Sequence, residues 1–160
     1  MTRSLIARFH LGFMALLLAG CARPQANPST LDGSASRLEA GAAEMFQQYG
    51  AAITTPRREL IAGFYALDGV ILIFNGERQD LSRTQLDSFY TGPWNPPEYF
   101  AWDQLQYDSL APGLVLVTGG FFWKDKTSPD TARFLYTALV QSVDSGMVIR
   151  FEEETLRPPR

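Results

Sequence analysis

The chain has 160 residues, enough for one domain, and its 46% hydrophobic and 19% charged residues are typical of a globular protein rather than a disordered one. The net charge is −3, and it becomes −5 (12 basic against 17 acidic side chains) if residues 1–20, which carry Arg3 and Arg8, are removed. An acidic chain lacks the basic face that phosphates require, which argues against nucleic acid as a partner.

Residues 1–20 have the pattern of a lipoprotein signal peptide. Arg3 and Arg8 precede an apolar run at 11–19 that is too short to span a bilayer. The run ends in Leu18-Ala19-Gly20-Cys21, which looks like the lipobox after which the cysteine receives a diacylglycerol. We therefore expect a protein held on the membrane by acyl chains at Cys21. Ala22 follows the cysteine, which favours the outer membrane of a bacterial envelope, facing the periplasm.

The residues after the signal offer little for metal or nucleophilic chemistry. The chain has a single Cys, assigned above to the lipid, and a single His, His10, which lies within the signal. Neither a disulfide, a Cys-rich metal site nor a His-activated nucleophile can then be built. We expect no cofactor and no metal.

Residues 21–36 are rich in Pro, Ser, Asn and Gly, which predicts a flexible tether, and we place the folded domain at 37–157. Apolar residues at helical spacing predict a first helix over 36–53, with Tyr49 on its apolar face. Thr55-Pro56 predicts the start of a second helix. This helix would bury Leu60, Ile61, Phe64 and Tyr65.

The apolar run 70–74 predicts a buried strand that ends at Asn75-Gly76. A third helix is predicted after Ser82, which forms a capping-box pair with Gln85, and Gly92-Pro93 would end it. Leu81 and Leu86 occupy the two positions of a hydrophobic staple. Four strand-like stretches complete the chain: 99–110, 114–124, 132–143 and 147–155. The order α-α-β-α-β-β-β-β predicts an α+β fold with an antiparallel sheet wrapped around three helices.

Four phrases in this order resemble the SnoaL-like (nuclear transport factor 2-like) superfamily over about residues 38–155. They are the stretches 64–71, 82–90, 115–119 and 145–151. The resemblance implies a curved sheet that closes on its helices as a cone, with a pocket at the open end. The superfamily includes isomerases, dehydratases and cyclases as well as non-catalytic binding and assembly domains, so the fold alone does not fix the function.

Residues 47–68 are similar to the first two helices of ketosteroid isomerase, and Tyr49 falls at the position of its oxyanion-hole tyrosine. Ile73 and Ala138 stand where that enzyme's catalytic aspartate and second oxyanion carboxyl would be. An apolar side chain can neither take a proton nor donate a hydrogen bond, which argues against isomerisation by that mechanism.

The long strands carry four large aromatic residues that we predict as ligand-binding: Trp102, Tyr107, Trp123 and Tyr136. Aromatic residues on strands usually pack a core, but in a cone alternate side chains face the cavity. There they would hold an apolar or aromatic ligand.

Three residues are weak candidates for catalysis: Asp68, Tyr49 and Glu152. Each has a structural alternative, namely a turn residue for Asp68 and a core tyrosine for Tyr49. Glu152 alternates with Arg150 and Glu154 on the last strand, so the three would share one face. That face is either solvated or forms a buried Arg–carboxylate pair at the pocket mouth.

The favoured interpretation is a lipid-anchored envelope domain that binds a small apolar or aromatic ligand. Two alternatives remain: an isomerase- or dehydratase-like proton-transfer enzyme acting on a small apolar substrate, and an envelope assembly subunit. A carboxylate converging on a tyrosine inside the pocket would favour the enzyme, and a filled cone with an exposed apolar patch would favour assembly. The oligomeric state is not readable from the chain, and a homodimer stays open.

Overall fold

The computed structural model describes residues 28–93 and 95–158, with side chains from residue 33 onward. The predicted signal peptide 1–20 and Cys21 lie outside the described residues. The described elements, in chain order, are α1 (Pro28–Ile53), α2 (Glu59–Ala62), β1 (Val70–Phe74), β2 (Glu77–Leu81), α3 (Arg83–Thr91), β3 (Tyr99–Ala111), β4 (Leu114–Lys124), β5 (Ala132–Val143) and β6 (Gly146–Leu156). The predicted α+β class is confirmed.

The strands form one six-stranded sheet in the order β2-β1-β6-β5-β4-β3. Neighbouring strands are antiparallel except β1 and β6, which run parallel. The sheet curves without closing, and α1 packs across it against β3, β4 and β6. This arrangement is the predicted cone.

Helix α1 is held against the sheet by its apolar face and by polar contacts, one of which involves Trp102. Ala42 and Phe46 are fully buried, and the indole N–H of Trp102 on β3 donates a 2.9 Å hydrogen bond to the carbonyl of Phe46. A side chain at Gly50 would collide with the same indole, at 2.7 Å from its nitrogen. The glycine therefore permits this close approach of helix and strand.

Both early helices differ from the prediction. Helix α1 begins at Pro28, so residues 28–36, predicted as part of the tether, are helical. Proline suits the first turn of a helix because its missing N–H would have no partner there. Helix α2 has four residues, its N-cap is Arg58 rather than Thr55, and the N–H of Gly63 bonds back to Leu60 to end it. Leu60, predicted buried, is 40% exposed.

Strand β2 was absent from the prediction. Asn75 and Gly76 both have positive φ angles (50° and 85°) and form a two-residue hairpin turn, in which Phe74 pairs with Glu77. The strand that follows lies at the sheet edge with four of its five residues exposed. It therefore carries no apolar alternation that the sequence could have shown.

Helix α3 follows its prediction closely. The Ser82 side chain accepts from the N–H of Gln85, whose side chain accepts from the N–H of Ser82, which completes the predicted capping box. Leu86 is fully buried. Among the described residues, no helix combines the length and apolar character needed to cross a membrane.

Candidate functional site

The open end of the cone contains a cavity of about 620 Å³. This volume is within the range of roughly 300–1,000 Å³ that is usual for small-molecule sites. Its walls are mainly aromatic and come from β1, α3, β3, β4 and β5. The aromatic rings that line it, apart from the tyrosines, are Phe74, Phe89, Phe100, Trp102, Phe121, Trp123 and Phe134.

Strand β6 brings two carboxyl groups to this cavity because its register is interrupted at Arg150. Val140 on β5 pairs with Ile149, whereas Leu139 pairs with Phe151, so Arg150 forms a bulge. A bulge inserts one residue and reverses the alternation of side chains beyond it. As a result Ile149, which is fully buried, and Glu152 point to the same side of the sheet. Glu154, two residues further on, also lines the cavity.

Because of this bulge, Arg150 does not share one face with Glu152 and Glu154, contrary to the prediction. Arg150 points away from the cavity and pairs with Asp68 outside it. Glu152 is 3% exposed, so the prediction of a solvated outer face is wrong for this residue. The alternative prediction was a buried Arg–carboxylate pair at the pocket mouth. The carboxylate is buried at the pocket, but Arg150 is not beside it.

Glu152 is surrounded by tyrosine hydroxyls. Tyr65 donates to its Oε2 atom, and Tyr49 donates to its Oε1 atom at 3.1 Å. The Tyr49 and Tyr65 hydroxyls are themselves 2.8 Å apart, and Tyr90 reaches Tyr65 at 3.2 Å. Because both oxygens of Glu152 accept hydrogen bonds, the arrangement suits the ionised carboxylate.

The pKa values of Glu152 and Glu154 are both raised, but to different extents and for partly different reasons. Burial raises the pKa of Glu152, and the hydrogen bonds that Tyr65 and Tyr49 donate to it offset part of that rise. Burial and the adjacent negative charge of Glu152 raise the pKa of Glu154 well above its ordinary value. Two carboxyls in one apolar site cannot both ionise easily, so the pair retains one proton. We assign that proton to Glu154, since the tyrosines stabilise the charge on Glu152.

Tyr136 adds a further hydroxyl near this pair. Its side chain is 1% exposed, and among the described residues its hydroxyl oxygen has no hydrogen-bond partner of ordinary geometry. Burial and the charge of Glu152 raise the pKa of the Tyr136 phenol well above its ordinary value. The hydroxyl thus stays protonated beside the carboxylate.

The four predicted aromatic residues separate into two groups. Trp102 and Trp123 lie on the cavity wall. Tyr107 and Tyr136 are not among the lining residues: Tyr107 packs edge-on against Phe46 beneath α1, and Tyr136 packs between Phe46 and Trp102. A register shift between Asp103 and Gln106 puts Trp102 and Tyr107 on the same face of β3, opposite Phe121 and Val117 of β4, but only Trp102 reaches the cavity.

The three catalytic candidates also separate. Tyr49 and Glu152 meet in the cavity, whereas Asp68 lies outside it, in a shallow open groove with Arg150 and Ser82. The hydrogen bond and charge of Arg150 hold the pKa of Asp68 below its ordinary value. An exposed, ion-paired carboxylate at the end of a turn serves structure rather than proton transfer.

The positions taken from the isomerase comparison have a structural explanation. Leu72 and Phe74 of β1 line the cavity, so Ile73 between them faces the opposite side of the sheet. Ala138 is fully buried and lies directly opposite Glu152 on the neighbouring strand. The two carboxyl groups nearest this position, Glu152 and Glu154, therefore come from β6, one strand away from position 138.

Among the cavity residues that the predicted site lacked, three belong to the polar group around Glu152: Tyr65, Tyr90 and Glu154. Tyr65 was expected in the core of the second helix, but it follows that helix and bridges to Ile149. Simple alternation already puts Glu154 on the same face as Glu152, but the bulge that turns this face toward the cavity has no proline or glycine to mark it. Among the described residues no three His, Cys, Asp or Glu side chains are grouped to hold a metal ion.

Comparison with known proteins supports the fold through structure rather than sequence. No family model matches the chain, and no curated protein matches it. A nuclear transport factor 2-like protein of unknown function from Shewanella oneidensis superposes with a TM-score of 0.62 at 17% identity, covering 72% of this chain and 97% of its own. The described domain has the nuclear transport factor 2-like, or SnoaL-like, fold.

Two further neighbours have names that refer to enzymes. A ketosteroid isomerase-like protein from Parabacteroides distasonis has a TM-score of 0.58 at 12% identity, with coverage of 74% of this chain and 86% of its own. A scytalone dehydratase-like protein from Novosphingobium aromaticivorans has a TM-score of 0.58 at 11% identity, with coverage of 74% and 83%. At these identities the likeness concerns the fold alone.

Proposed function

We propose that the cone binds a small, largely apolar or aromatic molecule. The observation that carries the proposal is the open cavity of about 620 Å³, walled by aromatic rings and ending at Glu152 and Glu154. Removing apolar surface from water stabilises a complex by about 25 cal/mol per Å². The carboxyl pair and its tyrosines supply the few polar groups that orient a ligand in such a pocket.

The test is to fill the cavity. Leu72→Trp places an indole in the cavity, whereas Ile73→Trp places the same group on the opposite face of the same strand. Titration with the neutral fluorescent probe N-phenyl-1-naphthylamine should show binding to the wild type and to Ile73→Trp, with at least about a tenfold loss for Leu72→Trp. Equal binding by all three proteins, with unchanged melting temperatures, would place the probe elsewhere and refute the proposal.

A second candidate is proton transfer on the bound molecule, in an isomerase- or dehydratase-like reaction. It is favoured by the convergence of Glu152 on Tyr49 and Tyr65 inside the cavity. The glutamate pair offers an acid, Glu154, next to an ionised partner, and a raised carboxyl pKa is suited to proton transfer near neutral pH. Hydrogen–deuterium exchange at carbon in a bound ketone, lost in Glu154→Gln, would establish it.

We also propose that the domain is carried on the periplasmic face of the outer membrane by a lipid at Cys21. The support is the lipobox Leu18-Ala19-Gly20-Cys21 and the apolar run before it. An assembly role, the remaining alternative, called for a filled cone, and the open cavity favours binding instead.

A further inference from the structure

The charged residues of the cavity are mostly acidic. Four carboxylic side chains and one guanidinium line it: Glu77, Asp125, Glu152, Glu154 and Arg58. The Arg58 guanidinium lies over the rings of Phe89 and Tyr90, at 4.6 and 5.1 Å from their centroids, on the side of the cavity formed by α2 and α3. The electrostatic potential inside the cavity therefore favours a positively charged ligand.

The deepest acidic groups, Glu152 and Glu154, have no protein cation beside them. Among the residues that the structure describes, neither forms an ion pair, although Glu152 is 3% exposed. A buried carboxylate normally has a cationic partner or takes up a proton. Here burial and the charge of Glu152 raise the pKa of Glu154 instead, and a cationic ligand would provide the partner that the described residues do not place beside the pair.

The aromatic walls of the cavity are suited to a cation as well as to the apolar part of a ligand. Phe121 and Phe134 stack with centroids 4.8 Å apart, and Phe100 and Trp102 meet edge to face at 4.9 Å. Aromatic faces attract an ammonium group within about 6 Å of the ring centroid, most strongly when the site is desolvated. Aromatic faces around an acidic floor are the arrangement by which proteins recognise organic ammonium ions.

The Tyr136 hydroxyl provides a separate observation at the floor. It is buried beside Glu152 without a hydrogen-bond partner among the described residues. Because Tyr136 does not line the cavity, its hydroxyl adds to the polarity around Glu152 without offering a ligand a direct contact.

We infer that the natural ligand is a lipophilic amine, whose ammonium group binds at Glu154 and Glu152 and whose apolar body lies among the aromatic walls. This rests on the proposed function and adds the chemical class of the ligand. No bond to carbon is made or broken: the ammonium keeps its own proton, and the proton held between the two glutamates leaves to solvent. Each amine bound below the pKa of Glu154 should accordingly release close to one proton.

Three probes with one ring system separate charge from hydrophobicity. These are 2-naphthylmethylamine, 2-naphthylmethanol and 2-naphthoate, which at neutral pH are a cation, a neutral molecule and an anion. Their dissociation constants would be measured calorimetrically at pH 7 in two buffers of different protonation enthalpy, which also counts released protons. The variants are Glu154→Gln and, as matched control, Glu153→Gln, since residue 153 lies between the two cavity glutamates on the opposite face of β6.

We expect the amine to bind the wild type and Glu153→Gln roughly tenfold or more tightly than the alcohol, with the anion weakest. In Glu154→Gln the amine should bind without proton release, and its preference over the alcohol should shrink because only Glu152 remains to carry a charge. Equal affinities in the wild type, or an undiminished preference for the amine in Glu154→Gln, would overturn the amine inference while leaving the binding pocket in place. Failure of all three probes, together with failure of N-phenyl-1-naphthylamine, would instead refute the proposed function.

Discussion

The hydroxyl of Tyr49 donates a 3.1 Å hydrogen bond to Oε1 of Glu152, joining helix α1 to the last strand across 103 residues of sequence. This contact places the only fully buried acidic group of the described core at the inner end of an aromatic cavity. Glu154 lies on the same face of the strand, and burial together with the charge of Glu152 raises its pKa well above the ordinary value. The two carboxyl groups at the inner end of the cavity therefore lie on one strand, β6.

The first prediction concerns stability and pH. Because the folded-state pKa of Glu154 is raised above its unfolded value, its contribution is fully present below the ordinary glutamate pKa and is lost as pH rises through the raised value. Glu154→Gln, which cannot ionise, should melt progressively higher than the wild type between about pH 5 and pH 8. Each kcal/mol would appear as roughly 2–6 °C in a domain of this size.

Glu153→Gln is the control for that measurement, since it makes the same chemical change on the opposite face of β6. Its melting temperature should follow the wild type across the range. A flat difference between Glu154→Gln and the wild type would mean that Glu154 titrates as an ordinary glutamate.

A second prediction concerns the tyrosine network. Tyr65→Phe removes the hydrogen bond to Oε2 of Glu152 and the partner of both Tyr49 and Tyr90. Loss of a hydrogen bond to a charged buried group should cost about 1.5–3 kcal/mol of unfolding free energy at neutral pH. The loss should shrink in acid, where Glu152 is protonated. Urea titrations at two pH values measure both.

Tyr107→Phe is the matched control, because Tyr107 is half-buried and lies outside the cavity. Its unfolding free energy should change by no more than about 0.5 kcal/mol. Equal losses for the two variants would show that the hydroxyl of Tyr65 has no special partner.

The third prediction distinguishes the two wall tryptophans. Trp102 donates to the Phe46 carbonyl at 2.9 Å and contacts several core rings, so Trp102→Ala should cost about 3–5 kcal/mol of stability. The Trp123 indole bonds to the exposed Asp125 instead, nearer the mouth. Trp123→Ala should weaken probe binding with a smaller loss of stability. The reverse order in thermal melts and probe titrations would contradict the assignment of the two residues.

The fourth prediction concerns the proposed anchor. Cys21→Ser removes the acylated residue without touching the folded domain, so the protein should move from the membrane fraction to the soluble fraction while keeping its melting temperature. Immunoblots of salt-washed membranes measure the distribution, and inhibition of lipoprotein signal peptidase in the wild type provides the control. Retention of the serine variant on washed membranes would refute lipid anchoring at this residue.

Much of the fold could be predicted because its signals are local. The capping box at Ser82 and Gln85 and the apolar run 70–74 depend on neighbouring residues alone, and both are present as expected. Edge strand β2 could not be predicted, since its exposed polar residues carry no periodic pattern.

The candidate site was harder to predict from the sequence than the fold, for a different reason. A single bulge at Arg150 reverses the phase of β6, so a correct strand assignment still grouped Glu152 with Arg150 and left open which face lines the pocket. The hydrogen bonds of Tyr65 likewise depend on where α2 ends, which is decided by tertiary contacts to Ile149. Contacts between side chains that are distant in the sequence depend on such details rather than on local composition.

Whether Glu152 and Glu154 share one proton at the inner end of a ligand-binding cavity can be measured by carbon-13 NMR of the glutamate side-chain carboxyls. The carboxyls would be titrated with and without 2-naphthylmethylamine, and Glu154→Gln would assign the signals. We expect a carboxyl resonance from Glu154 that titrates well above the ordinary glutamate range and changes when the probe is added. Two resonances that titrate like exposed glutamates and do not respond to the probe would rule out the shared proton.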